Sequence, residues 1–116
     1  LQIMRQTDKS HEHVNRFLPD RPDAIAEKLA ALKEEVVMLC QTPYETSDDY
    51  FRAVLKARLA GSDLSLVAAQ AAMLHAGARG YLYEAPAQRR LRESYFVAIV
   101  TPASKQLAKM LHDMDA

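Results

Sequence analysis

The chain is expected to be all-α, most simply an antiparallel up-down four-helix bundle, and three observations lead there. Apolar residues recur at alternating spacings of four and three over long stretches. No useful length of sequence alternates apolar and polar with a period of two, so no strand is expected. Breakers fall at intervals: Pro19-Asp20-Arg21-Pro22, Gln41-Thr42-Pro43, a glycine-bearing stretch from 77 to 86, and Thr101-Pro102. They divide residues 22–116 into four helical segments, a bundle domain preceded by a partly irregular segment over 1–21 that has room for a short fifth helix.

Residues 1–21 are the least legible. Leu1, Ile3 and Met4 suit the tail of a helix, and Val14, Phe17 and Leu18 form a small apolar group. The next segment is clear. Pro22 suits the first turn of a helix, with Asp20 or Arg21 outside it. Ile25, Leu29, Leu32, Val36 and Leu39 then make an apolar stripe that ends before Pro43, because proline disfavours helix in the residue ahead of it. The third segment is the longest. Ser47-Asp48-Asp49 supplies N-cap candidates and negative charge for the positive end of the helix dipole. From Tyr50 to about Ala76 there is no proline, and alanine and leucine favour helix throughout. Phe51, Leu55, Leu59, Leu66 and Met73 mark its core stripe, with Ser62 and Ala69 between them. Gly61 costs roughly 1 kcal/mol against alanine there, and close approach of a neighbouring helix is its simplest explanation. After the 77–86 turn, residues 87–100 place Leu91, Tyr95, Phe96 and Ile99 inward. Thr101 and Pro102 then cap and open a last helix with Leu107, Met110, Leu111 and Met114 as its stripe, and Lys105, Lys109 and Asp113 towards water.

Composition narrows the class. One hundred and sixteen residues suit one domain with a modest core. Apolar residues make up 49%, which is globular, and 15 basic against 15 acidic side chains give a formal charge of +0. Nothing in that balance points to nucleic acid or an anionic membrane. No apolar run is long enough to span a bilayer, and no signal-peptide pattern opens the chain. The lone Cys40 cannot form an internal disulfide, so a cytoplasmic home is expected. Leu1 in place of a methionine fits a fragment of something longer.

Chemistry is sparse. Ser62, Ser65 and Ser104 lack the contexts of GxSxG or SxxK, and Cys40 falls where a helix stripe would bury it. His11-Glu12-His13 has metal-ligand residue types, but the two histidines share a face only on a strand, and no CxxC or HExxH accompanies them. A solvated polar loop is the reading preferred. His75 ends the long helix near the negative pole of its dipole, which favours the imidazolium and suits a capping or interfacial role better than a catalytic one. Arg89, Arg90 and Arg92 read as a solvated face with ion pairs to Glu84 and Glu93, one of the three turned inward. Gly77-Ala78-Arg79-Gly80-Tyr81 carries two of three glycines, and a glycine pair closing a long helix marks a sharp turn and permits close approach of a ligand.

The stretch His75-Ala76-Gly77-Ala78-Arg79-Gly80-Tyr81, followed by Glu84, Pro86, Arg89 and Arg92-Glu93, resembles the C-terminal helical domain of the acyl-CoA dehydrogenase family. That family has a Gly-Gly-x-Gly-Tyr/Phe turn, an acidic residue and a proline shortly after, and a basic residue ahead of an Arg-Asp-Ala step. The ungapped match runs from Leu74 to about Ala103, and the helix pattern extends it over most of 22–114. Lys56 corresponds to an Ala-Lys pair common in the family. The resemblance implies an oligomeric FAD-dependent oxidoreductase that acts on the CH–CH group of an acyl thioester in fatty acid metabolism. It implies that the glycine turn of one subunit faces the FAD of its neighbour, with Gly77, Arg79, Gly80 and Tyr81 as cofactor contacts. The backbone N–H groups of such a turn are natural partners of a pyrophosphate. The isolated domain is expected to be inactive, because most of the flavin and acyl-CoA pockets would come from other domains.

The departures are informative. Ala78 replaces the second glycine of the turn, and Leu74 replaces a glutamine that often precedes it. Thr101 occupies the position of the family's usual catalytic glutamate, and threonine cannot serve as the base for an α proton. Pro102 removes a backbone N–H at the next position. No catalytic residue is therefore assigned, and three readings stay open: a base on an earlier helix, a different flavin reaction, or a non-catalytic paralogue. Outside the family, the alternative is a helical interaction module that binds a protein partner.

Overall fold

The computed structural model describes residues 1–115, so Ala116, the last residue of the expected bundle, lies outside them. Within these residues the protein is all-helical: α1 (Gln2–Asn15), α2 (Pro22–Cys40), α3 (Asp48–Ala76), a 3₁₀ turn (Gly77–Tyr81), α4 (Pro86–Ile99) and α5 (Ser104–Met114). The N-terminal segment contains a 14-residue helix, and irregular chain is confined to the link before Pro22. His11 and His13 consequently sit exposed on a helix rather than a loop, and no cluster of metal-ligating side chains occurs among the described residues.

The architecture is a spine. α1, α2, α4 and α5 all pack on α3, and among the described residues the outer helices meet each other little, apart from α1 and the start of α2, where Met4 and Ile25 share a buried cluster and Asp8 pairs with Arg21. Tyr50 donates its hydroxyl to the Leu39 carbonyl at one end (2.7 Å), and Arg21 meets His75 at the other, so α2 runs antiparallel to α3. α4 and α5 follow one another along α3 in the opposite sense. Arg58 reaches the Val97 carbonyl, Ser62 Oγ lies 2.9 Å from Ser104 Oγ, and Arg52 pairs with Asp115 at the far end. The molecule is therefore elongated, 50 × 25 × 23 Å, and α3, at 29 residues, sets its length.

Local chemistry explains most helix ends. Ser47 Oγ accepts from the Tyr50 N–H and caps α3 as expected. Arg21 is the N-cap of α2, with Pro22 in the first turn. α5 begins later than its sequence suggests: Ala103 is the N-cap, and the Gln106 side chain folds back to accept from the Ala103 N–H at 2.7 Å. Thr101 and Pro102 stay exposed in the link, so threonine does not cap this helix.

The core is built largely of small residues. Ala57, Ala69, Ala71, Ala72, Ala87, Ala98 and Ala103 are buried, with Met4, Ile25, Leu55 and Leu107 as the large side chains. Alanine faces let helix axes come close, which corrects the expected inward face of α4. Ala87 and Ala98 are buried and Leu91 is half-buried, whereas Tyr95, Phe96 and Ile99 point outward. The aromatic side chains are too large for a surface of alanines. Cys40 is exposed, not buried, because the end of α2 is covered on one side only, by the start of α3, as the exposed Val36, Val37 and Met38 also show. Of the α3 stripe, Phe51 is exposed while Leu55, Ser62 and Ala69 are buried. Gly61 has room. A Cβ there would meet Leu32 Cδ2 at 3.7 Å, an ordinary contact, so close helix approach does not require the glycine. No helix of the described residues is long and apolar enough to cross a membrane.

Candidate functional site

The turn ends α3 and is built by two glycines with different tasks. Gly77 has φ 68°, a conformation that L side chains rarely adopt, and nothing lies within 4 Å of where its Cβ would be. It closes the helix with its N–H on the Met73 carbonyl. Gly80 is buried, and a Cβ there would sit 2.9 Å from Ala76 Cβ and 3.5 Å from the Met73 carbonyl oxygen. The first glycine allows the chain to reverse, and the second lets it lie flat on the last turn of α3. Because the segment winds as a 3₁₀ helix, several of its N–H groups are engaged in its own i→i+3 bonds. The open face of Gly77 and the Arg79 side chain remain as its outward features, and Arg79 has no ion pair or side-chain hydrogen bond among the described residues.

Tyr81, Leu82 and Tyr83 project beyond the turn at 80%, 64% and 79% exposure, which is the apolar edge expected of a docking surface. The arginines that follow are all exposed, and none turns inward. Arg89 and Arg90 both pair with Glu93 and hold its carboxyl below the usual range by hydrogen bonding, while Arg92 stacks over the Tyr83 ring at 4.9 Å. No ion pair to Glu84 forms among the described residues.

Beside the turn, α1 and α4 flank α3 without packing closely on each other and leave an open groove of about 690 Å³. Its floor is Ala68, Ala69, Ala72 and Ala76, and Arg79 and Arg90 stand among its lining residues. Of the four expected cofactor contacts, Arg79 and Gly80 line this groove, whereas Gly77 and Tyr81 are exposed residues of the same turn outside it. Thr101 is not brought to the turn. The whole of α4, 14 residues and hence about 20 Å at 1.5 Å per residue, separates them. Lys56 is exposed on α3.

Behind the turn lies a polar corner that sequence reasoning missed. His75 is 3% exposed. Its Nδ1 bonds the Ala71 carbonyl at 2.7 Å, and Arg21 Nη1 lies 2.9 Å from its Nε2. A guanidinium can only donate, so Nε2 is the accepting nitrogen of this pair and Nδ1 is the one that donates to the Ala71 carbonyl. Arg21 is held in turn by Asp8, Nη2 to Oδ2 at 2.8 Å, and the buried Asn15 donates to Asp8 Oδ1 at 3.1 Å and to the His75 carbonyl at 3.4 Å. Burial raises the Asp8 carboxyl, but the hydrogen bonds from Arg21 and Asn15 and the adjacent positive charge lower it by more, so it titrates below its ordinary value. Asp8 and Asn15 are two helical turns apart on α1, the one signal by which a shared face was detectable.

No family model, curated protein or solved structure matches the chain. The resemblance to the acyl-CoA dehydrogenase family accordingly stands on the residues of 74–103 alone.

Proposed function

We propose that the chain is the C-terminal helical domain of an acyl-CoA dehydrogenase-like flavoprotein. The full protein would be a cytoplasmic homo-oligomer acting on an acyl thioester, with no dependence on nucleic acid or membrane. One observation carries the reading: the Gly77–Tyr81 turn stands exposed at the end of α3, closed by a positive-φ glycine and bearing an arginine without an internal partner. A buried turn would have argued against it. The residues fit the implied FAD in a limited way. Arg79 would pair with a phosphate oxygen, the open side of Gly77 would admit the cofactor, and the aromatic edge at Tyr81 would cover it. Gly80 serves by letting the turn pack. When bound, FAD supplies a hydride acceptor for oxidation between the α and β carbons. The chain contributes the edge and the oligomer contact, and no base is assigned to it, since the threonine at 101 cannot take an α proton.

Flavin uptake by the protein carrying its upstream residues tests this. The expected result is stoichiometric yellow flavin, bleached by an acyl-CoA, with affinity weakened about tenfold by Arg79→Ala through loss of a charge-assisted bond. Protein that stays colourless in excess FAD overturns the reading. The apolar side chains of Val37, Met38 and Tyr44 at the opposite end of the molecule favour a second reading, a helical module that docks a protein partner. It expects partner binding that is insensitive to replacement of Gly80.

A further inference from the structure

The polar corner and the turn adjoin, since His75 stands two residues before Gly77. We propose that Asp8, Arg21 and Asn15 are positioning residues for the Gly77–Tyr81 turn and act through His75. The inference rests on the reading of that turn as the chain's contact edge.

The last carbonyls of a helix have no intrahelical partner, so the end of α3 must be held by other groups. Here it is held twice at one residue. Asn15 Nδ2 reaches the His75 carbonyl at 3.4 Å, and Arg21 Nη1 meets the His75 ring at 2.9 Å. Both donors are tied to one carboxylate, because Asp8 Oδ1 receives Asn15 at 3.1 Å and Asp8 Oδ2 receives Arg21 at 2.8 Å. The bonds therefore close a loop: Asp8 to Arg21, Arg21 to the His75 ring, the His75 carbonyl to Asn15, and Asn15 back to Asp8. Four residues contribute, from α1, the N-cap of α2 and α3. No charged group of α4 or α5 hydrogen-bonds to the His75 ring among the described residues.

The far end of the turn is held from α4, where Gln88 Nε2 donates to the Tyr81 carbonyl at 3.3 Å. Its near end rests on α3: Gly77 touches nothing at its Cβ position, and Gly80 seats on Ala76 and Met73, which share the last turn of α3 with His75. The direction in which the turn leaves α3 is thus inherited from that last helical turn. A rotation of His75 moves the seat of Gly80 with it. Gly77 is the only positive-φ residue among those described, so a change in the last turn of α3 passes into the direction of the edge at this point. Removing Arg21 also leaves Asp8 and His75 without their shared partner in a half-buried corner, which favours rearrangement over a passive gap.

The test uses the chain without flavin, so its failure is separate from failure of the FAD reading. Amide resonances and hydrogen exchange of residues 77–82 are compared in the parent, Arg21→Met, Asp8→Asn, Asn15→Ala and Leu107→Ala. The last is a destabilised control, because Leu107 lies buried on α5 along the other half of α3. The expected result is displaced Gly77 and Gly80 amide resonances and exchange about tenfold faster over 79–82 in the corner variants. The control should leave both unchanged. Asp8→Glu, which keeps the carboxylate, should restore part of the displacement. Should Arg21→Met fail to fold, Asp8→Asn and Asn15→Ala decide the matter. Turn resonances unmoved in folded corner variants, or moved equally by Leu107→Ala, would overturn the inference.

Discussion

Replacing glycine by alanine is expected to carry opposite signs at Gly61 and Gly80. Gly61 lies inside α3, where glycine costs about 1 kcal/mol against alanine. Its new methyl would meet Leu32 Cδ2 at 3.7 Å, a normal contact with no strain to subtract. Gly61→Ala should therefore stabilise the chain by about 1 kcal/mol and raise the melting temperature by about 4 °C. At Gly80 the methyl would stand 2.9 Å from Ala76 Cβ and 3.5 Å from the Met73 carbonyl oxygen. Neither is the far end of a flexible side chain, so the turn itself must move, at about 1–3 kcal/mol for overpacking. Urea unfolding followed by far-ultraviolet circular dichroism measures both, provided the slope with denaturant is unchanged. A destabilising Gly61→Ala would refute the reasoning, since α2 would then lie closer to α3 than the Leu32 contact allows. A neutral Gly80→Ala would refute its other half.

Three further outcomes follow from particular side chains. Asp8 titrates below its ordinary value of 3.8, so the stability it contributes is full above that pH and is lost as pH falls through its lowered folded value. Asp8→Asn should remove that acid-dependent part, and parallel pH profiles of the urea midpoint for parent and variant would count against it. Leu107, 1% exposed, should cost about 2–5 kcal/mol when cut to alanine, measured by the same unfolding. Cys40 is exposed and should react fully with a thiol reagent in the folded protein, without denaturant; a thiol that reacts only after unfolding would place the end of α2 wrongly.

The helices were legible where apolar spacing and capping agreed. Ser47 does cap α3, and the span of that helix follows from its alanines and the lack of proline. The turn that closes α3 was also readable, because a glycine pair after a long helix marks the exit. Three features were hidden for physical reasons. α1 has its apolar contacts at its start, through Ile3 and Met4, and its remainder is held through polar contacts, which hydrophobic periodicity does not detect. The inward face of α4 is alanine, so ranking residues by hydrophobicity selected Tyr95, Phe96 and Ile99 on the wrong side. Asp8, Arg21 and His75 are 13 and 54 residues apart in the pairs that bond, and only the tertiary fold brings them together.

The spine arrangement has a consequence for how the chain comes apart. Because α4 and α5 lean on α3 and hardly on the other helices, losing α5 leaves most of the remaining contacts standing. Opening of α5 can then proceed as a separate event below the free energy of global unfolding. α3 has no such freedom, since it is the one surface common to all. Its amides should exchange last, and a folding nucleus would have to include it, each outer helix condensing onto it in its own time.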